Sequence, residues 1–400
     1  MSATTKRTPS DFAAARVRNL APSPTLAVSD KARQLKAEGI DVIDLGGGDP
    51  DFITPEHIRR AAIDAMNAGD THYVASAGIP ALRRAIAEKL RADNGIVVEP
   101  MGGVVVTPGG KQALFEAALA LIEPGVDVLV PEPAWVSYVP MVELAGGRAV
   151  PTPLDPDDNY RLTREALETA VTPASRVIIV CSPNNPTGRV FERDELATLA
   201  DFAQAHDLLV FSDEMYEKIL YDGRTHTSVA TLDGMAERTL VFNGLSKAYA
   251  MTGWRLGYVA GPTPYISQIA KVHSHSATCA TSFVQAAGVA ALTGPQAFIG
   301  EMVAAWDRRR QAVSSGLSAI PGIACSPAEG AFYAFADVRG TGMTSAEAAD
   351  FLLREAHVAV TPGVAFGEAG EGHVRLSFAT GDTALATAVE RIGAALAQRV

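Results

Sequence analysis

The chain has 400 residues, enough for one large domain and a smaller one, and 48% of them are hydrophobic, which supports a sizeable core. A formal net charge of -11 argues against nucleic acid or an anionic membrane as partner, though not against a small anionic substrate. The three cysteines, Cys181, Cys279 and Cys325, lack metal-ligand spacing, no secretory signal opens the chain, and no uninterrupted apolar run of about 18 residues appears, so a cytoplasmic protein without a membrane span is expected.

Residues 1–15 are polar and are expected to be mobile. Residues 16–28 carry Pro22 and Pro24 and read as an extended arm. A short helix over 30–38 should end at Gly39, and a strand over 41–45 should follow. Next come Gly46, Gly47 and Gly48, which suit a tight turn or a close approach of backbone to ligand. A helix is expected over 55–68, with Thr54 as its cap, and another from Pro80. Tyr73 lies between them in a loop of small residues.

A strand over 104–106 leads through Thr107, Pro108, Gly109 and Gly110 into a helix that begins near Lys111. Strand, glycine turn and helix make an anion cradle, because the first N–H groups of a helix lack partners. The nucleotide-binding version fails, since Gln112 stands where a P-loop requires Ser or Thr. Strands over 127–131, 176–181, 208–213 and 239–243 then alternate with helices over 136–144 and 193–205, which predicts an α/β parallel sheet. A helical stretch over 282–317, broken near Gly294-Pro295, leads to a smaller alternating unit. Its strands are expected over 331–337, 358–361 and 374–379, and its helices over 345–356 and 383–398. The division expected is an arm at 1–29, a segment 30–54 that joins the small domain, a large domain at 55–300 and a small one at 301–400.

The chemistry concentrates in NGLSKAYAMTGWRLGY, residues 243–258. Apolar neighbours around Lys247 suggest a half-buried turn, and burial makes a lysine a neutral nucleophile. Arg255 adds an anion receptor. Amine plus phosphate clamp is what pyridoxal phosphate requires, although a basic loop without chemistry has the same residues. Asn185 sits in SPNNPTG at one strand end, where open α/β sheets gather ligands. Asp213 and Tyr216 end the next strand at a spacing that suits two groups facing one flat ring. Trp135 opens a helix just past another strand end, and Arg375 offers a fork for a carboxylate. His273 and His275 are the closest histidine pair and read as loop or interface residues, not metal ligands.

The run SKAYAMTGWRLGY resembles the lysine signature of the class I/II pyridoxal-phosphate aminotransferases of fold type I, nearest to the bacterial aspartate aminotransferase branch. The resemblance implies a large domain with a mixed, mostly parallel sheet and helices on both faces, plus a smaller α/β domain. It implies that Lys247 bonds to pyridoxal 5'-phosphate and carries the proton. Asp213 would face the ring nitrogen, Tyr216 and Asn185 the phenolic oxygen, and Trp135 the ring. The phosphate would meet Arg255, Ser246, the N–H groups of Gly110, Lys111 and Gln112, and Tyr73 from the second subunit of a homodimer. For substrate it implies Arg375 with Asn185 and Trp135 at the α-carboxylate, Gly48 beside them, and Lys111 and Thr25 at a distal carboxylate. Gly244 and Pro24 depart from the pattern. The resemblance also implies cis bonds at Glu132-Pro133 and Asn185-Pro186. The expected reaction is ping-pong transfer of an amino group between aspartate or glutamate and a 2-oxo acid. Prephenate, aromatic or neutral amino acids remain as alternatives, as do a fold type I lyase or synthase and a binding protein that only retains the cofactor.

Overall fold

The structure is a computed structural model and describes residues 12–18 and 20–399. The expectation for the first residues therefore lies, over 1–11, outside the described part.

Twelve strands are described. They are β1 (Ile43–Asp44), β2 (Val104–Thr107), β3 (Asp127–Glu132), β4 (Arg148–Pro153), β5 (Ser175–Cys181), β6 (Leu209–Asp213), β7 (Thr239–Gly244), β8 (Gly257–Ala260), β9 (Tyr333–Asp337), β10 (Val358–Ala359), β11 (Thr361–Pro362) and β12 (His373–Ser377). Seven form one sheet in the order β2-β8-β7-β6-β5-β3-β4. Only β8 runs against its neighbours, β2 and β7. Runs such as Val-Val-Val in β2 and Val-Ile-Ile-Val in β5 are apolar without alternation because helices cover both faces. Helix Gly110–Leu121 places Ala113, Leu114 and Ala117 against Val128, Val130 and Phe242 on one face. Helix Arg193–Ala205 places Leu196, Leu199 and Phe202 against Leu129, Ile178 and Val180 on the other. Helices Glu56–Asn67, Pro80–Asn94 and Ser282–Thr293 pack a further core around Ile58, Leu82 and Ala287.

The C-terminal part holds an antiparallel sheet, β11-β12-β9, and the parallel pair β1-β10. Helices Ala297–Ser318, Ser345–Glu355 and Asp382–Ala397 close over Trp306, Phe332, Val358 and Leu376. That core also takes in Leu45 from the N-terminal segment and Tyr216, Ile219 and Tyr221 from the loop after β6.

Several expectations are corrected. The segment 16–28 is not an extended arm: helices occupy Ala15–Arg18 and Pro24–Ala37. Pro24 does not break the helix because it stands in its first turn, where no N–H is needed and its fixed φ fits. Thr54 does not cap the next helix. Pro55 holds that place, while the Thr54 hydroxyl donates to the Ala250 carbonyl at 2.5 Å. His273 and His275 lie on helix Thr263–Ser276, not in a loop, and His273 is fully buried with Nδ1 2.9 Å from a Glu116 carboxylate oxygen. Among the described residues the cis bonds are Glu132-Pro133, as the resemblance implied, and Ser182-Pro183 in place of Asn185-Pro186.

Candidate active site

Parallel strands end together, so β3, β5, β6 and β7 deliver the segments that follow them to one edge of the sheet. The turn from β2 into helix Gly110–Leu121 borders the same space, and Gly46–Gly48, Tyr333 and Arg375 close it from the C-terminal core. The result is a cavity of about 390 Å³. It brings together Thr25, Gly48, Gly110, Lys111, Trp135, Asn185, Asp213, Tyr216, Ser246, Lys247, Arg255 and Arg375.

Lys247 follows β7, and its Nζ donates to the Gly48 carbonyl. Burial lowers its pKa to about 8. Asp49 opposes the shift, while Arg375, Arg255 and Lys111 add to it. A useful fraction of this amine is therefore neutral near physiological pH. Asp213 ends β6, and burial pushes its carboxyl up to about 6. Tyr138 donates to its Oδ2 at 2.7 Å and the Met215 N–H to its Oδ1 at 3.2 Å, so both oxygens are held in a fixed plane. Tyr216 is buried, its pKa is pushed well above that of a free phenol, and its hydroxyl lies 2.8 Å from the Tyr333 hydroxyl.

Arg375 on β12 is 3% exposed. Its Nη1 donates to Asn185 Oδ1 at 2.8 Å and its Nη2 to the Gly46 carbonyl at 2.5 Å. Among the described residues Nε has no hydrogen-bond partner and the guanidinium forms no ion pair. Burial lowers its pKa, yet an arginine stays charged. Asp44 offsets that charge only from a distance, and a buried cation without a direct ion pair is costly, a cost that a carboxylate ligand relieves.

The far end of the cavity is also cationic. Gly109 has φ of 90°, and a side chain there would strike the Arg255 guanidinium, while one at Gly110 would strike Met215. Only a glycine turn lets the helix N-terminus and Arg255 meet at one spot. Ser246 faces the same cavity. Lys111 is an exposed residue whose amine sits 4.8 Å from the centroid of the Trp135 ring, and desolvation in the cleft, then Arg255, lowers its pKa. Trp135 in turn meets Tyr138 edge-on at 5.4 Å.

Two expected residues stand elsewhere. The Gln112 N–H donates to Gly109 O at 3.1 Å and its side chain to Glu116 at 2.9 Å, so Gln112 does not face the cavity. Tyr73 is 86% exposed and borders a separate surface cleft with Thr71, His72 and Cys279–Phe283. The sequence did not single out Tyr138 and Tyr333, which also line the cavity. Tyr138 carried a signal, since three positions after Trp135 is one helical turn on the same face. Tyr333 carried none, because an aromatic among apolar strand residues reads as core.

The cavity and sheet together define a family: the chain belongs to the class I and II aminotransferases, whose profile matches residues 40–392. It is 44% identical over 384 residues to an aspartate aminotransferase of Musicola paradisiaca, an alignment that covers 96% of both chains. The solved aspartate aminotransferase from Thermus thermophilus with maleate superposes with a TM-score of 0.92 and 43% identity, over 96% of this chain and 99% of that one. An aromatic aminotransferase from Pyrococcus horikoshii OT3 superposes with a TM-score of 0.88 and 44% identity, over 93% of this chain and 99% of that one.

Proposed function

We propose that this aminotransferase holds pyridoxal 5'-phosphate on Lys247 and moves an amino group between aspartate or glutamate and a 2-oxo acid, as a cytoplasmic homodimer. The observation that carries the reading is the donor set of one cavity. It contains an amine of lowered pKa, a carboxylate fixed at both oxygens, and two cationic ends, of which Arg375 is buried with no ion pair among the described residues.

That donor set fits the cofactor. The first N–H groups of helix Gly110–Leu121, Ser246 and Arg255 suit a phosphate. Asp213 suits a protonated ring nitrogen, Tyr216 and Asn185 a phenolic oxygen, and the Trp135 face a flat ring. Bound there, pyridoxal phosphate supplies a conjugated ring that takes up the electron pair released when the substrate Cα loses its proton. Lys247 Nζ binds the cofactor, and when free it carries the proton away from Cα, as an amine of pKa about 8 can do near neutrality. Asp213 keeps the proton on the ring nitrogen. Arg375 and Asn185 grip the α-carboxylate and so orient the Cα–H bond. Lys111 and Thr25, which lies on the first long helix and lines the same cavity, meet a distal carboxylate.

The partner subunit's Tyr73 completes the phosphate site in this reading, which its exposure away from its own cavity supports. The same reading divides the chain at 29, 54 and 300, supported by the separate cores around the two sheets. Among the described residues no helix is long and apolar enough to cross a membrane. A second reading, an aromatic donor, draws on the aromatic relative and on the Trp135 ring face under Lys111. The test is Lys247→Ala, which should abolish the absorbance of lysine-linked cofactor and nearly all transamination. Turnover at the wild-type rate in that variant would sink the assignment.

A further inference from the structure

Tyr333 is the first residue of β9, in the C-terminal core, whereas Tyr216 follows β6 of the large sheet. In the β9-β12 ladder Tyr333 pairs with Ser377, so Arg375, two residues earlier on β12, is its diagonal neighbour on the same face. That register carries the Arg375 guanidinium over the Tyr333 ring, 4.4 Å from its centroid, with the Phe366 ring 4.9 Å away. The Tyr333 hydroxyl lies 2.8 Å from the Tyr216 hydroxyl. It also fills the space that a side chain on Gly48 would need, and the Gly48 carbonyl accepts from Lys247. One buried phenol thus touches Tyr216, Arg375 and the backbone that holds the lysine.

We propose that Tyr333 is a positioning residue of this site: its hydroxyl aims the Tyr216 hydroxyl at the cofactor, and its ring holds Arg375 flat for the substrate α-carboxylate. This rests on the reading of the cavity as a pyridoxal phosphate site. In a pair of hydroxyls one donates to the other. Burial raises the pKa of both, and Arg375 restrains the rise at both, so each hydroxyl keeps its proton. A phenol has one proton, and in the proposed reading Tyr216 gives its own to the cofactor oxygen, so Tyr333 is the donor within the pair. With its oxygen so occupied, Tyr216 turns its own proton into the cavity. There it draws charge from the cofactor oxygen, which lets the linked lysine nitrogen lose its proton at lower pH. The ring acts separately. A guanidinium stacked on an aromatic face keeps its plane, and a bidentate grip on a carboxylate needs that plane.

Two substitutions separate the parts. Tyr333→Phe keeps the ring and removes the hydroxyl; Tyr333→Leu removes both. The readouts on loaded enzyme are the pH midpoint of the lysine-linked cofactor absorbance and the steady-state constants for the fastest amino donor. Tyr333→Phe should raise the midpoint by about half a pH unit and leave KM within about twofold. Tyr333→Leu should raise the midpoint similarly and also raise KM by roughly five- to tenfold, with kcat changed less than KM. A residue that only fills space would leave the Tyr333→Phe midpoint where it was, and that result, with a normal wild-type band, overturns this inference alone. Wild-type KM in Tyr333→Leu overturns the ring's part. Absence of the band in the wild type overturns the cofactor reading and this one with it.

Discussion

In the proposed reading Lys111 decides the substrate, and its replacement gives a result that can be worked out from the cavity. Its amine has no hydrogen bond or ion pair among the described residues, and its charged neighbour is another cation, Arg255. A cation in the first turn also opposes the helix dipole by a few tenths of a kcal/mol. Both facts leave it ready for an anion. A charge-assisted contact to a distal carboxylate contributes about 1.5–3 kcal/mol. Because Lys111 is exposed, solvent screening favours the lower end of that range. Lys111→Ala should then lower kcat/KM for aspartate and glutamate by at least roughly tenfold, and by no more than about a hundredfold, with the smaller loss expected. The same change removes one cation that holds the Lys247 pKa down, but Lys111 is the smallest named contributor to that shift. Any effect through Lys247 is therefore small and the same for every donor. The assay is kcat/KM for aspartate, glutamate, alanine and phenylalanine with a common acceptor, in wild type and variant. Alanine and phenylalanine should be nearly unchanged. Equal losses for all four donors would refute the reasoning, as would a wild type that prefers a neutral donor.

Two other outcomes are expected. Burial favours the neutral amine of Lys247, so covalent capture of pyridoxal phosphate by the apoenzyme should speed up with rising pH and level off above about 8, not near the 10.5 of an ordinary lysine. A rate still climbing steeply at pH 10 would show that the amine is not shielded. For the subunit question, Lys247→Ala protomers mixed with Tyr73→Ala protomers should recover roughly a quarter of wild-type activity, because half the dimers are hybrids with one intact site. No recovery after subunit exchange would place Tyr73 in its own chain's site or in none.

Much of this was legible in the sequence, for identifiable reasons. Strands β3, β5, β6 and β7 are short apolar runs bounded by turns, and buried parallel strands look like that. The residues just beyond them, Trp135, Asn185, Asp213 and Lys247, could be singled out because strand ends gather ligands. What was missed lacked contrast. β4 is an edge strand with Pro151 and Pro153, and its exposed positions blur the apolar pattern. β8 is four residues long and begins inside the lysine run, at Gly257. Helix Thr263–Ser276 has a polar exposed side that hides its buried stripe of Ile266, Ile269 and His273. Pro22 and Pro24 suggested an extended arm, although proline also starts helices, as Pro24 does. Gln112 was expected at the phosphate by analogy of position, but its N–H is spent within the turn on Gly109. Tyr138 and Tyr333 act through the groups their hydroxyls touch, and those partners are 75 and 117 residues away in the chain.

The central claim is that the cavity carries an amino group on its cofactor between two separate half-reactions. The most direct measurement is a single half-reaction. Purified wild-type enzyme loaded with pyridoxal phosphate is mixed with aspartate and no 2-oxo acid, and absorbance and products are followed together. The account predicts full conversion of bound cofactor to its amine form with one oxaloacetate released per site, and, on adding 2-oxoglutarate, return of the cofactor to its aldehyde form with one glutamate released per site. Cofactor that stays in its aldehyde form while aspartate is consumed to other products, or is not consumed at all, would contradict it.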